Sequence, residues 1–132
     1  MLANCTALAK FGPLVGRIML ALLFIFAGWN KIGGFEGTAA YMAGKGLPMA
    51  EFLLVLTILI ELGGGLLILI GWQARWAALV IFLFIIPVNF VFHPFWADAE
   101  QFNAFFKNVA LMGGMLYIVV HGAGPISLDR DR

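Results

Sequence analysis

The chain has 132 residues, of which 63% are hydrophobic and 11% charged, with a net charge of +1 and a mean hydropathy of +1.00. Soluble domains carry about 25% charged residues, so this composition excludes a water-soluble globule and indicates an integral membrane protein embedded in a lipid bilayer. No basic stripe is present to track phosphates, which excludes nucleic acid as a partner, and the single Cys5 leaves no internal disulfide, CxxC pair or Cys-rich metal site.

Four stretches are long enough to cross roughly 30 Å of hydrocarbon as helices of about 20 residues. The expected fold is therefore all-α, an integral membrane four-helix bundle forming one transmembrane domain over 1–132. The first span covers 12–32. Arg17 and Lys31 stand near its ends, from which long side chains reach the headgroups. They are fourteen residues apart, close to four helical turns, so they share a face with Ala21, Phe24 and Gly28 that is expected to point inward. The same stretch has the cation and short apolar core of a signal peptide, but it lacks an A-x-A site where cleavage would need it. It is read as a retained span.

The first loop, GFEGTAAYMAGKGLP, predicts a short interfacial helix over 38–45, with Gly46 as its left-handed terminator and Pro48 preventing resumption. The second span, 50–71, holds Glu61 in the longest apolar run of the chain, FLLVLTILIELGGGLLILIG. A carboxylate near a bilayer midplane costs about 2.5–3.5 kcal/mol on the lenient insertion scale, so such residues face a bundle interior, a partner charge or a wet pocket. Trp72 and Gln73 are nearly all that separates this span from the third, 74–92, which makes the two antiparallel neighbours. Pro87 removes a backbone donor from the third span and is expected to kink it, just ahead of Asn89 and His93. The third loop, HPFWADAEQFNAFFK, is aromatic and acidic and suits the headgroup level. Lys107 and Asn108 open the fourth span, 104–122.

An even number of spans puts both termini on one side, with Lys10, Arg17, Arg75, Arg130 and Arg132, against Lys31, Lys45 and Lys107 on the other. This bias predicts cytoplasmic termini in a bacterial inner membrane, with the first and third loops exported. An internal hairpin repeat is also visible. Arg17 and Arg75 open the first and third spans, and LGGGLLILIG at 62–71 is echoed by MGGMLYIVVHG at 112–122, although small residues recur in membrane helices by chance as well. Gly63, Gly64, Gly65, Gly113 and Gly114 are expected to mark close backbone approaches.

The polar residues converge on one half of the bundle. Asn30, Lys31, Asn89, His93, Lys107 and Asn108 are expected at the exported end, with Glu61 below them, as a polar pocket opening outward. Each has a plainer reading: Lys31 and Lys107 as interfacial anchors, His93 as a helix cap, Asn89 as interhelical glue, and Glu61 as half of a structural ion pair with Arg17 or Lys107, or as a tolerated protonated acid. His93 and His121 fall at opposite ends, so bis-His haem ligation by one chain is not expected, and no zinc, calcium or Walker spacing occurs. A quinone suits an apolar cleft with one carboxylate, one His and several amides.

GRIMLALLFIFAGWNKI, GTAAYMAGKGLP, ELGGGLLILIGW and FFKNVALMGGMLYI together resemble the DoxX family of small four-helix inner-membrane proteins, over 16–118. The family positions that match are Arg17, Lys31, Glu61, His93, Lys107 and Asn108. The resemblance implies a membrane subunit associated with quinone-linked oxidation, thiosulfate oxidation included, or with redox-protective assemblies. Three readings stay open. One is a quinone- or redox-associated subunit with Glu61 and His93 as proton-carrying catalytic groups and Arg17, Lys31, Asn89, Lys107 and Asn108 as ligand-binding ones, without a metal. The second is a scaffold whose Phe95, Trp96 and Phe106 dock a partner enzyme, and the third a small-solute or proton transporter. A partner subunit or a homo-oligomer fits each of them.

Overall fold

A computed structural model describes residues 5–129. Helix α1 runs Thr6–Gly33, α2 Phe35–Gly44 and α3 Ala50–Ile58. A π-helical segment, Leu59–Gly63, joins α3 to α4, Gly64–Ile70. Then follow α5, Ala74–Phe92, a 3-10 turn, Ala99–Gln101, and α6, Phe102–His121. The α3, π and α4 pieces form one continuous rod, Ala50–Ile70, so four helices are long and apolar enough to cross a membrane. Among the described residues there is no strand.

Helix α1 starts at Thr6 instead of near residue 12, because helical backbone continues past the point where hydropathy stops requiring it, and Pro13 is accommodated inside it. The stops follow backbone chemistry. Gly46, at φ 87°, ends α2 in a Schellman arrangement: its N–H donates to Ala43 O at 3.0 Å and Leu47 N–H reaches back to Met42 O at 3.3 Å. Gly71, at φ 71°, repeats the device for α4, with Trp72 N–H on Leu67 O at 3.0 Å. The expected interfacial helix exists and is longer than the sequence suggested. Its Ala39 and Met42 are buried against Leu54, with Leu47 and Phe92 packed around them, which roofs one end of the bundle. Pro87 lies inside α5, which runs helical through it to Phe92.

The main core is thin. Ala21, Phe24, Ile68, Ala78, Ile81 and Met115 form its centre, while Phe26, Leu59, Trp76 and Leu83 face outward on the exterior. Such an apolar exterior costs nothing against acyl chains, and association rests on close packing of small residues. The buried face of α1 is Arg17, Ala21, Phe24 and Gly28, the stripe its spacing predicts. Helix α1 comes close to the rod's backbone at Gly28, where an added Cβ would sit 2.9 Å from the Leu62 backbone nitrogen; Gly65 is pressed likewise against Ile25 and Ala21. Gly64 and Gly114 meet only side chains, Ile81 and Leu20, and around Gly63 and Gly113 there is open space. The expectation for those two glycines is corrected: they face away from the seam that Gly28 and Gly65 make.

The α1 helix pairs with the α3–α4 rod and α5 pairs with α6, two hairpins with matching ends. Arg17 Nη1 donates to Ile68 O and Leu69 O at 3.0 and 3.2 Å, and Arg75 Nη1 donates to Val119 O and Val120 O at 3.2 and 2.9 Å. In each hairpin an arginine from the first helix binds carbonyls in the last turn of the second, where positive charge also suits the helix dipole. The echo in sequence is thus an echo in structure. Beyond α6 the chain folds back over this end: Arg17 Nη2 donates to Ile126 O, Asp129 N–H to Gly71 O at 2.8 Å, and the Asp129 carboxylate accepts from Gln73 N and Ala74 N at 2.6 and 2.9 Å, capping α5. Arg130 and Arg132, counted in the charge bias, lie outside the described residues.

Candidate functional site

Glu61 sits inside the π segment, where the helix carries one extra residue per turn. Such segments in otherwise α-helical rods recur at functional sites because they redirect side chains that a regular spiral would aim elsewhere. Gly28 lets α1 lie directly against this segment, so the carboxylate meets the last turn of α1. There Lys31 Nζ lies 2.7 Å from Glu61 Oε1, with the lysine side chain 29% exposed and the glutamate 10%. Lys31 also stands where a helix C-terminus favours a cation.

The pair borders a chamber of about 210 Å3. Thr57 comes from α3 one turn before Glu61, Thr38 and Tyr41 descend from α2, and α5 supplies Phe84, Val88 and Phe92, with His93 at its end. Tyr41 and Phe92 stack at 5.7 Å with their planes 23° apart. Thr57 Oγ1 donates to Leu53 O at 2.9 Å, which spends its hydrogen and leaves lone pairs for a guest. His93 Nδ1 lies 2.8 Å from Gln101 Oε1. The amide oxygen, as oriented, only accepts, so this contact puts the hydrogen on Nδ1 and leaves Nε2 as the nitrogen able to take a proton. A cation, a carboxylate, hydroxyls and an imidazole around aromatic walls can bind a compact molecule that both donates and accepts hydrogen bonds. Among the described residues no group of three His, Cys, Asp or Glu could hold a metal ion.

The structure therefore brings Lys31, Glu61 and His93 together and sends the other expected site residues elsewhere. Asn108 Nδ2 donates to Asn89 Oδ1 at 2.9 Å, both buried, and Asn89 Nδ2 reaches Phe105 O at 3.4 Å. These amides clamp α5 to α6 and do not line the chamber. Lys107 and Asn30 are exposed and also stand off it. Arg17 is at the opposite end, about 21 Å along α1 from Lys31 at 1.5 Å per residue. The expected ion-pair partners of Glu61, Arg17 or Lys107, are accordingly corrected to Lys31. Thr38, Tyr41 and Thr57 escaped the sequence reading. The four-residue spacing of Thr57 and Glu61 was the available signal, since it places both on one helix face.

The DoxX family model matches residues 12–94. Inner membrane protein YqjF of Escherichia coli strain K12 is 43% identical over 123 residues, 93% of each chain. Inner membrane protein YphA of the same organism is 34% identical over 89% of this chain and 87% of its own. A Bacillus subtilis strain 168 protein, CatD, whose name describes it as an oxidoreductase, is 30% identical over 69% of each chain. No solved structure matches the chain.

Proposed function

From the premise that the chain belongs to the DoxX family of membrane proteins, we propose that it is a quinone- or redox-associated membrane subunit that takes a hydrogen-bonding ligand into the chamber beside Lys31, Glu61 and His93. The observation that carries this reading is the 2.7 Å contact between Lys31 and Glu61 on the wall of a cavity, a buried carboxylate paired with a half-buried lysine and with room beside them. Burying the Glu61 carboxylate is expensive, and a purely structural pair gains nothing from an adjoining void. Support also comes from CatD, a relative named as an oxidoreductase.

In this reading Lys31 donates to a carbonyl or hydroxyl oxygen of the guest, Glu61 accepts from or returns a proton to the same group, and Nε2 of His93 takes or gives the second proton. Conversion of a quinone to its quinol consumes two electrons and two protons. The electrons come from a partner oxidoreductase, and this chain handles the protons. We place the chamber at the exported end and the termini in the cytoplasm, because Lys10, Arg17 and Arg75 gather at the other end.

The test is quinone-dependent turnover of the native membranes with Glu61→Gln. Turnover should fall by about 100-fold, the usual scale of a lost proton-transfer group, with protein abundance unchanged; equal turnover would overturn the reading. Orientation is checked separately with a membrane-impermeant maleimide on Cys5, which is exposed: labelling of intact cells from outside would reverse the assigned topology.

A further inference from the structure

The polar chamber does not end in protein. Five side chains, Met42, Thr57, Phe84, Val88 and Phe92, are walls of the chamber and also of a neighbouring groove of about 300 Å3 between the α3–α4 rod and α5. The residues found only on the groove side are all apolar, among them Leu53, Leu56, Pro87 and Val91, and exposed Leu56 puts the opening on the lipid-facing exterior. At about 210 Å3 the chamber exceeds the roughly 150 Å3 that accommodates benzene, yet falls below the roughly 300–1,000 Å3 usual for ligand clefts. It holds a substituted ring; the groove supplies space for something attached to that ring.

We infer that the ligand is a membrane-borne amphiphile with a planar, uncharged ring head and a single apolar tail, which enters sideways from the bilayer along the groove between α3 and α5. Each part of the ligand is set by a different part of the cavity. The Lys31–Glu61 pair has no net charge and offers one donor and one acceptor, which suits a neutral head bearing a carbonyl or hydroxyl. The stacked Tyr41 and Phe92 rings, with Phe84 on the same lining, favour a flat head over a glycerol. The tail continues past Val88 and Phe92 into a channel whose further walls have no hydrogen-bonding side chain, and there it replaces acyl chains already in contact with them. A water-soluble solute would leave that channel to lipid and gain nothing from it. This inference rests on the function proposed above and narrows it to ligands that never leave the membrane.

The full-length protein in nanodiscs is given two probes, a dimethoxy-methyl-benzoquinone without a tail and the same ring on a decyl tail ending in a photoreactive diazirine. Affinities are expressed per mole of probe in the bilayer, so that partitioning alone cannot mimic a tail effect. Cross-links should fall on Leu53, Leu56 and Val91, and be displaced by excess unmodified decyl quinone. Val91→Trp, which fills the groove, should weaken the tailed probe by about tenfold and leave the tail-less ring unchanged, and Leu56→Trp on the facing wall serves where the first variant is poorly folded. Cross-links scattered around the exterior, or equal losses for both probes in both variants, would overturn the inference while leaving the chamber intact. Displacement by monooleoylglycerol as effective as by the decyl quinone would overturn the ring head. If Glu61→Gln binds both probes as tightly as the native chain does, the chamber reading fails and this inference fails with it.

Discussion

Asn108 donates to Asn89 across α5 and α6 at 2.9 Å, and Asn89 is the counterpart in the second hairpin of Lys31, which the first hairpin holds against Glu61. Asn89 follows Arg75 by the same fourteen residues that separate Lys31 from Arg17. Two hairpins with the same arginine clamp at one end thus carry different pairs at the other: neutral amides in one, opposite charges in the other. The charged pair borders the chamber, and neither Asn89 nor Asn108 lines it.

The charge pair is expected to behave as a coupled unit. Lys31→Met leaves Glu61 as an unpaired acid inside the bundle and should destabilise the protein more than Lys31→Met combined with Glu61→Gln does. A coupling of roughly 1–3 kcal/mol is expected for partners in direct contact. Reversible unfolding of the four proteins in mixed micelles measures it; additive effects would mean that the two side chains do not interact in the membrane.

The amide clamp should matter for stability alone. Asn108→Ala removes the donor to Asn89, and interhelical hydrogen bonds of this kind average about 0.6 kcal/mol with a maximum near 1.7. Unfolding in bicelles should show a loss in that range, with quinone affinity unchanged. A selective loss of affinity would return Asn89 and Asn108 to the binding site.

Two glycines separate packing from propensity. Gly28→Ala puts a Cβ 2.9 Å from the Leu62 backbone, which cannot rotate away, so α1 must lift off the π segment. A loss of roughly 1–3 kcal/mol, the usual range for overpacking, should be accompanied by weaker ligand binding, because Lys31 moves with the helix. Gly113→Ala meets open space and should be neutral or stabilising by up to about 1 kcal/mol. Equal effects at the two positions would contradict the seam described for α1.

The opposite end should prove structural. Asp129→Ala strips the cap from Gln73 and Ala74, at a cost of about 1–2 kcal/mol. Arg17→Leu removes the guanidinium from the Ile68, Leu69 and Ile126 carbonyls and should cost at least as much. Neither variant should change quinone affinity when binding is measured on the folded fraction. A drop in affinity for Arg17→Leu would give that residue the ligand role its sequence position suggested.

The sequence by itself determined what depends on one helix at a time. Hydropathy over about 20 residues set the four spans, the positive-φ stop at Gly46 followed from glycine's missing Cβ, and the spacing of Arg17, Ala21, Phe24 and Gly28 marked the inward face of α1. Tertiary structure decided what depends on how two helices meet: that Glu61 finds Lys31 and not Arg17 or Lys107, that Asn89 and Asn108 spend their hydrogen bonds on each other, that Gly28 and not Gly63 carries the seam, and that Asp129 returns from the tail to cap α5. The physical reason is register. Periodicity fixes which residues share a face, but the partner opposite depends on relative rotation and rise, and the extra residue in the π segment at Leu59–Gly63 turns every later side chain by about 100°, a shift that the composition of the apolar run around Glu61 does not encode.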